Sequence, residues 1–225
     1  MTHDNTTPDF RDSAFRWYGF ELNVIPVIPG MKRTAVKWNA WIEDFSTTAI
    51  NDHWILHPDH EVGCIVGDDL IVFDADSPEA IAALVELEQR HGLSPGLVVT
   101  TPRGEHHYYR RAEGSNARSD AHSTETHPER IDVKTGRALV VLPPSSGRQV
   151  KQCTCDDVRS LSVTDQTFID AVFRHNSRDA PRPPDVKPPC PQLLPSDLDQ
   201  VCVHDGEPVQ FLTLKTPIVR HCCRP

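Results

Sequence analysis

Asp74 and Asp76 stand two residues apart at the end of the apolar run Leu70-Ile71-Val72-Phe73. An extended chain sends alternate side chains to one face, so the two carboxylates of Phe73-Asp74-Ala75-Asp76 share a cleft. Two acids clustered at the end of a buried strand repel each other and lose hydration, and a cation is what makes such a pair tolerable. A hard divalent metal with oxygen ligands is therefore the first chemistry the chain suggests. The plainer alternative is a strand that ends by turning its acids into solvent, with Ser77-Pro78 as turn and helix start.

The charge pattern bears on that choice. The net charge of -9 argues against a general electrostatic grip on nucleic acid, which needs positive potential over a broad surface. The middle of the chain is nevertheless basic, with Arg103, Arg110, Arg111, Arg118, Arg130, Lys134, Arg137, Arg148 and Lys151. A basic cleft beside an acidic metal-binding cluster suits a phosphate-bearing ligand. No G-x-x-x-x-G-K-[ST] segment occurs, which excludes a P-loop motor. The seven cysteines are scattered and odd in number, so free thiols are expected, and Cys153-x-Cys155 lacks the second pair that a zinc site needs.

The elements that must position these residues read as α+β, with mixed sheets flanked by helices. Spacing predicts a helix over residues 10–20, an edge strand at 23–28 broken by Pro26, and a basic loop after it. A helix through Ile50 and Trp54, capped by Thr47 or Thr48, precedes a strand at 62–67. The acidic strand then leads into a helix capped by Ser77 and stopped by Gly92. Leu97-Val98-Val99-Thr100-Thr101 and His106-His107-Tyr108-Tyr109-Arg110 form a hairpin around Pro102-Arg103-Gly104. Residues 113–129 read as loop, 131–134 and 138–142 as strands, and 163–173 as a closing helix. Prolines dominate residues 179–195, so the domain is placed at 10–178 and residues 179–225 are expected to be a flexible linker and tail. At 225 residues and 38% hydrophobic the chain supports one ordinary core. No apolar run approaches the ~18 residues of a membrane span, and the start lacks a secretory pattern, so a soluble, cytoplasmic protein is expected.

In order along the chain come an acidic pair in Phe73-Asp74-Ala75-Asp76, a glycine turn into a histidine on a strand, a third acid in Ile131-Asp132-Val133-Lys134-Thr135-Gly136, and Leu142-Pro143-Pro144-Ser145. This order resembles the bifunctional DNA primase/polymerase domain of the archaeo-eukaryotic primase superfamily. The opening helix, strand and basic loop leading to Trp38 are similar to that family as well. The resemblance implies Asp74, Asp76 and Asp132 as catalytic ligands of Mg²⁺ or Mn²⁺, and a histidine on the phosphates of the incoming nucleotide. Aligning on the tyrosines that follow selects His107, and aligning on the small residue two places before selects His106; His107 is preferred. Lys134, two residues past Asp132 and on the same strand face, is assigned to the triphosphate, and Arg103 and Arg110 to DNA. Glu105 departs from the family pattern, which has a small residue there. The expected function is metal-dependent, template-directed synthesis or extension of primers from nucleoside triphosphates on single-stranded DNA, in replication of a mobile element with a separate helicase or initiator. The rivals are a non-catalytic module that binds single-stranded DNA or docks a replication protein, and a metal-dependent phosphodiesterase or nuclease.

Overall fold

The computed structural model describes residues 9–177 and, beyond them, the backbone of two short strands. The chain divides into two units, Met1–Ala180 and Pro181–Pro225. In the second unit, strands β10 (Val201–His204) and β11 (Glu207–Gln210) pair antiparallel. The expectation of a flexible linker over residues 179–195 lies outside the described residues.

Local chemistry sets most element ends in the first unit. Helix α1 (Phe10–Gly19) starts where the Asp9 carboxylate accepts the Asp12 amide, and it turns Ala14 and Trp17 inward. Strand β1 (Val24–Val27) tolerates Pro26 because it is the edge strand of its sheet, where β2 (Glu61–Val66) is its neighbouring strand and only the short segment at Thr34 and Ala35 bridges to its other side. A short helix α2 (Trp38–Glu43) follows the basic loop. Helix α3 (Thr47–Leu56) is capped by Ser46, whose hydroxyl accepts the Ala49 amide, one residue earlier than the threonines expected to do so. Helix α4 (Pro78–His91) has Ser77 as its cap and Pro78 in its first turn. It stops at Gly92, whose φ of 65° is left-handed and favours glycine.

Strands β2 and β3 (Leu70–Ala75) are consecutive, yet they belong to different sheets. The smaller sheet runs β1-β2-β7, with β7 at Ala138–Val141. The larger runs β6-β3-β5-β4-β8, with β4 at Leu97–Thr100, β5 at Glu105–Arg111, β6 at Asp132–Lys134 and β8 at Gln149–Cys153. The two-residue strand β9 (Val163–Thr164) pairs parallel to β5, where the closing helix was expected to begin. That helix, α5 (Gln166–Asn176), starts after Asp165 accepts the Phe168 amide.

Alternation divides β3 between two cores. Leu70 and Val72 join Leu97, Val99 and Tyr108 in a cluster with the small sheet, α1 and α3, including Trp17, Ile50 and Trp54. Ile71, Phe73 and Ala75 pack with Tyr109 and Val133 against Ala80, Leu84 and Leu87 of α4 and Phe168, Ile169 and Val172 of α5. Each such large side chain contributes ~1.5–3 kcal/mol on burial, so the register of β3 is strongly fixed. A slip of one residue would exchange both cores and turn Asp74 under the helices.

Candidate active site

The register of β3 lines three chemically active residues up in one row. Asp74 lies opposite His106 of β5 on one side and opposite Asp132 of β6 on the other. Residues directly opposite in antiparallel strands have Cβ atoms ~4.5–5.5 Å apart, so acid, imidazole and acid share a face. All three are buried. His106 Nε2 stands 3.3 Å from Asp74 Oδ1 but off the line that a hydrogen bond needs, and that oxygen has no donor. His106 Nδ1 is likewise buried without a partner.

The third acid is committed elsewhere. Asp132 Oδ1 accepts the His122 and Ser123 amides at 2.6 and 2.8 Å, which fastens the loop before β6. Its Oδ2 accepts from Lys134 Nζ at 3.1 Å, and the same ammonium is 3.8 Å from Asp74 Oδ2. Lys134 thus sits between the two carboxylates as an internal cation. Asp76, just past the end of β3, pairs with Arg103 from the turn between β4 and β5. That turn lies directly over β3, because a Cβ on Gly104 would run into the Ala75 carbonyl. Only glycine allows this approach, which delivers Arg103 to Asp76.

The electrostatics separate the two clefted acids. Burial alone would push the Asp74 carboxyl up, but His106, Lys134 and Lys32 outweigh it and hold Asp74 well below the usual carboxylate range. Asp76 is raised, first by burial and then by the Asp74 charge, with Arg103 and Lys32 opposing. Beside them is a pocket of about 350 Å³ lined by Lys32, Asp76, Thr101, Pro102, Arg103 and Arg148. The Arg148 guanidinium donates to the Ser146 carbonyl at 2.9 Å, while its Nε is buried without a partner. Three cations therefore face an anion-sized space next to two acids.

Residues 16–162 match the model of the bifunctional DNA primase/polymerase N-terminal family, which covers more than half of the chain. The chain belongs to that family. No match was found among curated proteins. Within the primase/polymerase domain, Asp74, Asp76, Asp132, Lys134 and Arg103 come together as neighbours.

His107 does not join them. Adjacent strand residues point to opposite faces, so with His106 beside Asp74 the His107 ring lies under α4. There its Nδ1 is 2.7 Å from Glu88 Oε1 and its Nε2 is 3.3 Å from Glu105 Oε2. The histidine selected by alignment on the tyrosines thus lies outside the cleft, and the one selected by alignment on Gly104 lies in it. Arg110 is on the His106 face but four residues further along β5, ~13 Å away at ~3.3 Å per residue. It donates to the Arg159 carbonyl, so it is not part of the acidic site.

Sequence reasoning passed over Lys32 and Arg148. Lys32 was legible as part of a basic loop, but nothing local ties that loop to residues 74–76. Arg148 reaches the pocket just ahead of β8, a strand whose mostly exposed residues carry no apolar signal.

The fit of a divalent cation to these residues is partial. Buried Asp74, with one oxygen lacking any donor, beside half-buried Asp76 fits a hard cation. Asp132 does not add a third ligand as it stands, because both its oxygens are engaged. Among the described residues, no three His, Cys, Asp or Glu side chains stand in a metal-holding arrangement.

Proposed function

We propose that the domain is a metal-dependent nucleotidyltransferase that synthesises or extends primers on a DNA template. The observation that carries this reading is the cleft itself. Unpaired Asp74 Oδ1, His106 Nδ1 and Arg148 Nε are all buried around it. Each such atom costs ~1–3 kcal/mol when left unsatisfied, an expense that a bound ligand removes.

In this reading Asp74 and Asp76 hold Mg²⁺ or Mn²⁺, which would supply Lewis-acid activation of a primer hydroxyl and charge stabilisation on departing pyrophosphate. Lys32, Arg103 and Arg148 bind the triphosphate of the incoming nucleotide in their pocket, as charge-assisted hydrogen bonds to phosphate require. His106, not His107, donates to a phosphate oxygen. Asp132 and Lys134 act as a pair: Asp132 orders the loop at residues 122–123, and Lys134 offsets the Asp74 charge and meets the phosphates. The substrates are nucleoside triphosphates and single-stranded DNA. A role in replicating a mobile element beside a separate helicase or initiator belongs to the same proposal. Among the described residues no helix is long and apolar enough to cross a membrane.

The test is incorporation of labelled nucleotides on unprimed and primed single-stranded DNA with Mg²⁺ or Mn²⁺. The wild type is compared with a folded Asp74→Ala/Asp76→Ala variant. Template-dependent products that vanish in the variant support the polymerase. Degradation of DNA without any need for triphosphates would favour the nuclease. DNA binding without synthesis under either metal would favour the binding module, a reading to which the committed Asp132 lends some weight.

A further inference from the structure

Leu142-Pro143-Pro144-Ser145 runs into the turn that carries Arg148, and the start of β2 grips that turn at two successive residues. The buried Ser145 hydroxyl accepts the Val62 amide and donates to the Val62 carbonyl, both at 3.0 Å. Ser146 donates its amide at 3.2 Å and its hydroxyl at 2.6 Å to Glu61 Oε1. The Arg148 amide closes the turn on the Ser145 carbonyl at 3.0 Å, and the Arg148 guanidinium donates to the Ser146 carbonyl at 2.9 Å. Ser146 therefore stands between a carboxylate on one side and the guanidinium on the other. Glu61 is 3% exposed, and among the described residues it bonds only to Ser146. A buried carboxylate loses its hydration, and two hydrogen bonds from one exposed serine are thin compensation for the fold alone. Across the strand Glu61 meets Val27, which bridges on its other side to Thr34, two residues past Lys32. On the far side of the turn, a Cβ on Gly147 would stand 2.7 Å from Pro102 Cγ, so the Arg148 turn packs directly against the Arg103 turn. The three segments that bring cations to the pocket are thus linked through Glu61 and the turn it holds.

We propose that Glu61 is a positioning residue for phosphate binding: through Ser146 it holds the turn at residues 145–148 in the form that aims Arg148 into the pocket. The Gly147–Pro102 contact keeps the Arg103 turn in register with it. This role rests on the reading of the pocket as the triphosphate site. A guanidinium on an already ordered turn gives up less freedom when it meets a phosphate than one on a loose turn. Arg148 Nε, buried and without a partner, is left to donate to the ligand while the other arm of the guanidinium is held by Ser146. Glu61 itself touches no phosphate in this arrangement, since its Oε1 is occupied by the amide and hydroxyl of Ser146 and like charge would repel the ligand.

The experiment measures, in the full chain, binding of inorganic tripolyphosphate by calorimetry and KM and kcat for nucleoside triphosphate on primed DNA. The chains compared are the wild type, Glu61→Ala, Glu61→Gln, Ser146→Ala and Arg148→Ala, with Glu61→Ala and Ser146→Ala each also combined with Arg148→Ala. Glu61→Ala should weaken tripolyphosphate binding and raise KM about tenfold at nearly constant kcat, and Ser146→Ala, which loses one bond of the two, about threefold. Glu61→Gln keeps an acceptor for both Ser146 donors and should stay within about twofold of the wild type. In chains that already lack the Arg148 side chain neither change should have a further effect, a coupling that a merely structural carboxylate would not show. Binding and KM undisturbed by Glu61→Ala and Ser146→Ala, disturbed equally with and without Arg148, or damaged as much by Glu61→Gln as by Glu61→Ala would each overturn the proposal. Should Glu61→Ala not fold, Ser146→Ala and its double variant decide alone. The expected pattern of tripolyphosphate binding in a chain that incorporates no nucleotide would sink the polymerase reading and leave the positioning role standing. Incorporation indifferent to both substitutions would do the reverse.

Discussion

The two faces of the larger sheet carry similar residues and treat them in opposite ways. On the face toward the small sheet, Asp74, His106 and Asp132 form a row in which Asp74 Oδ1 and His106 Nδ1 have no partner. On the face under α4, Glu88, Glu105, His107 and Tyr109 form a closed network. Glu88 Oε1 accepts from the Tyr109 hydroxyl at 2.7 Å and meets His107, while Glu105 takes Lys151 Nζ at 2.6 Å and meets the same ring. Both clusters are buried and charged. Satisfaction of the polar atoms tells them apart: a completed network specifies structure, and an incomplete one beside a pocket is built to receive something.

The sharpest way to break that contrast is at Asp74. Asp74→Asn is expected to lower template-dependent incorporation by about 10³-fold or more in primer extension, and to lower the melting temperature in thermal denaturation while the chain still folds, because the charge that His106, Lys134 and Lys32 stabilise is removed. Retained synthesis in this variant would remove the catalytic reading of the open face.

The adjacent histidines provide the next test. His106→Ala should lower incorporation by about 10²-fold with little loss of stability, whereas His107→Ala should lose ~3–5 kcal/mol of stability, because Glu88 is left buried with one partner fewer. Urea unfolding and steady-state rates on both variants separate the two effects. A His107 variant of normal stability and lost activity would reverse the assignment of the faces.

Within the pocket, Arg148→Ala should raise KM for the nucleoside triphosphate about tenfold with kcat nearly unchanged, the pattern of lost ground-state binding. Arg110→Ala, outside the pocket, should leave that KM alone.

The smallest effect is a pH dependence on the closed face. Burial works to raise the Glu105 carboxyl, but hydrogen bonds from Lys151 and His107 outweigh it and hold the group below its ordinary value of 4.5. A lowered carboxyl stabilises the fold above its unfolded pKa, and that contribution is lost as pH falls through the lowered value. Glu105→Gln should therefore lower the neutral plateau and flatten the acid limb below about pH 4.5, so that the variant and the wild type converge at low pH, as read by denaturant unfolding across a pH series.

Much of this was written locally. Ser77, Pro78 and Gly92 bound α4 by capping chemistry that needs no distant partner. The alternation of β3 and the hairpin around Gly104 follow from side-chain period and turn residues, so the acidic pair and the family order were legible from residue types and spacing. What the tertiary structure decided was pairing between distant segments. Consecutive strands β2 and β3 went to different sheets, β8 was added without an apolar signal, and Lys32 and Arg148 were carried to Asp76 from opposite ends of the domain. Register across β6, β3 and β5 chose His106 over His107 and turned Asp132 to its own loop and to Lys134. Period and propensity act over a few residues, whereas strand register depends on which face the whole core buries, and no single segment contains that information.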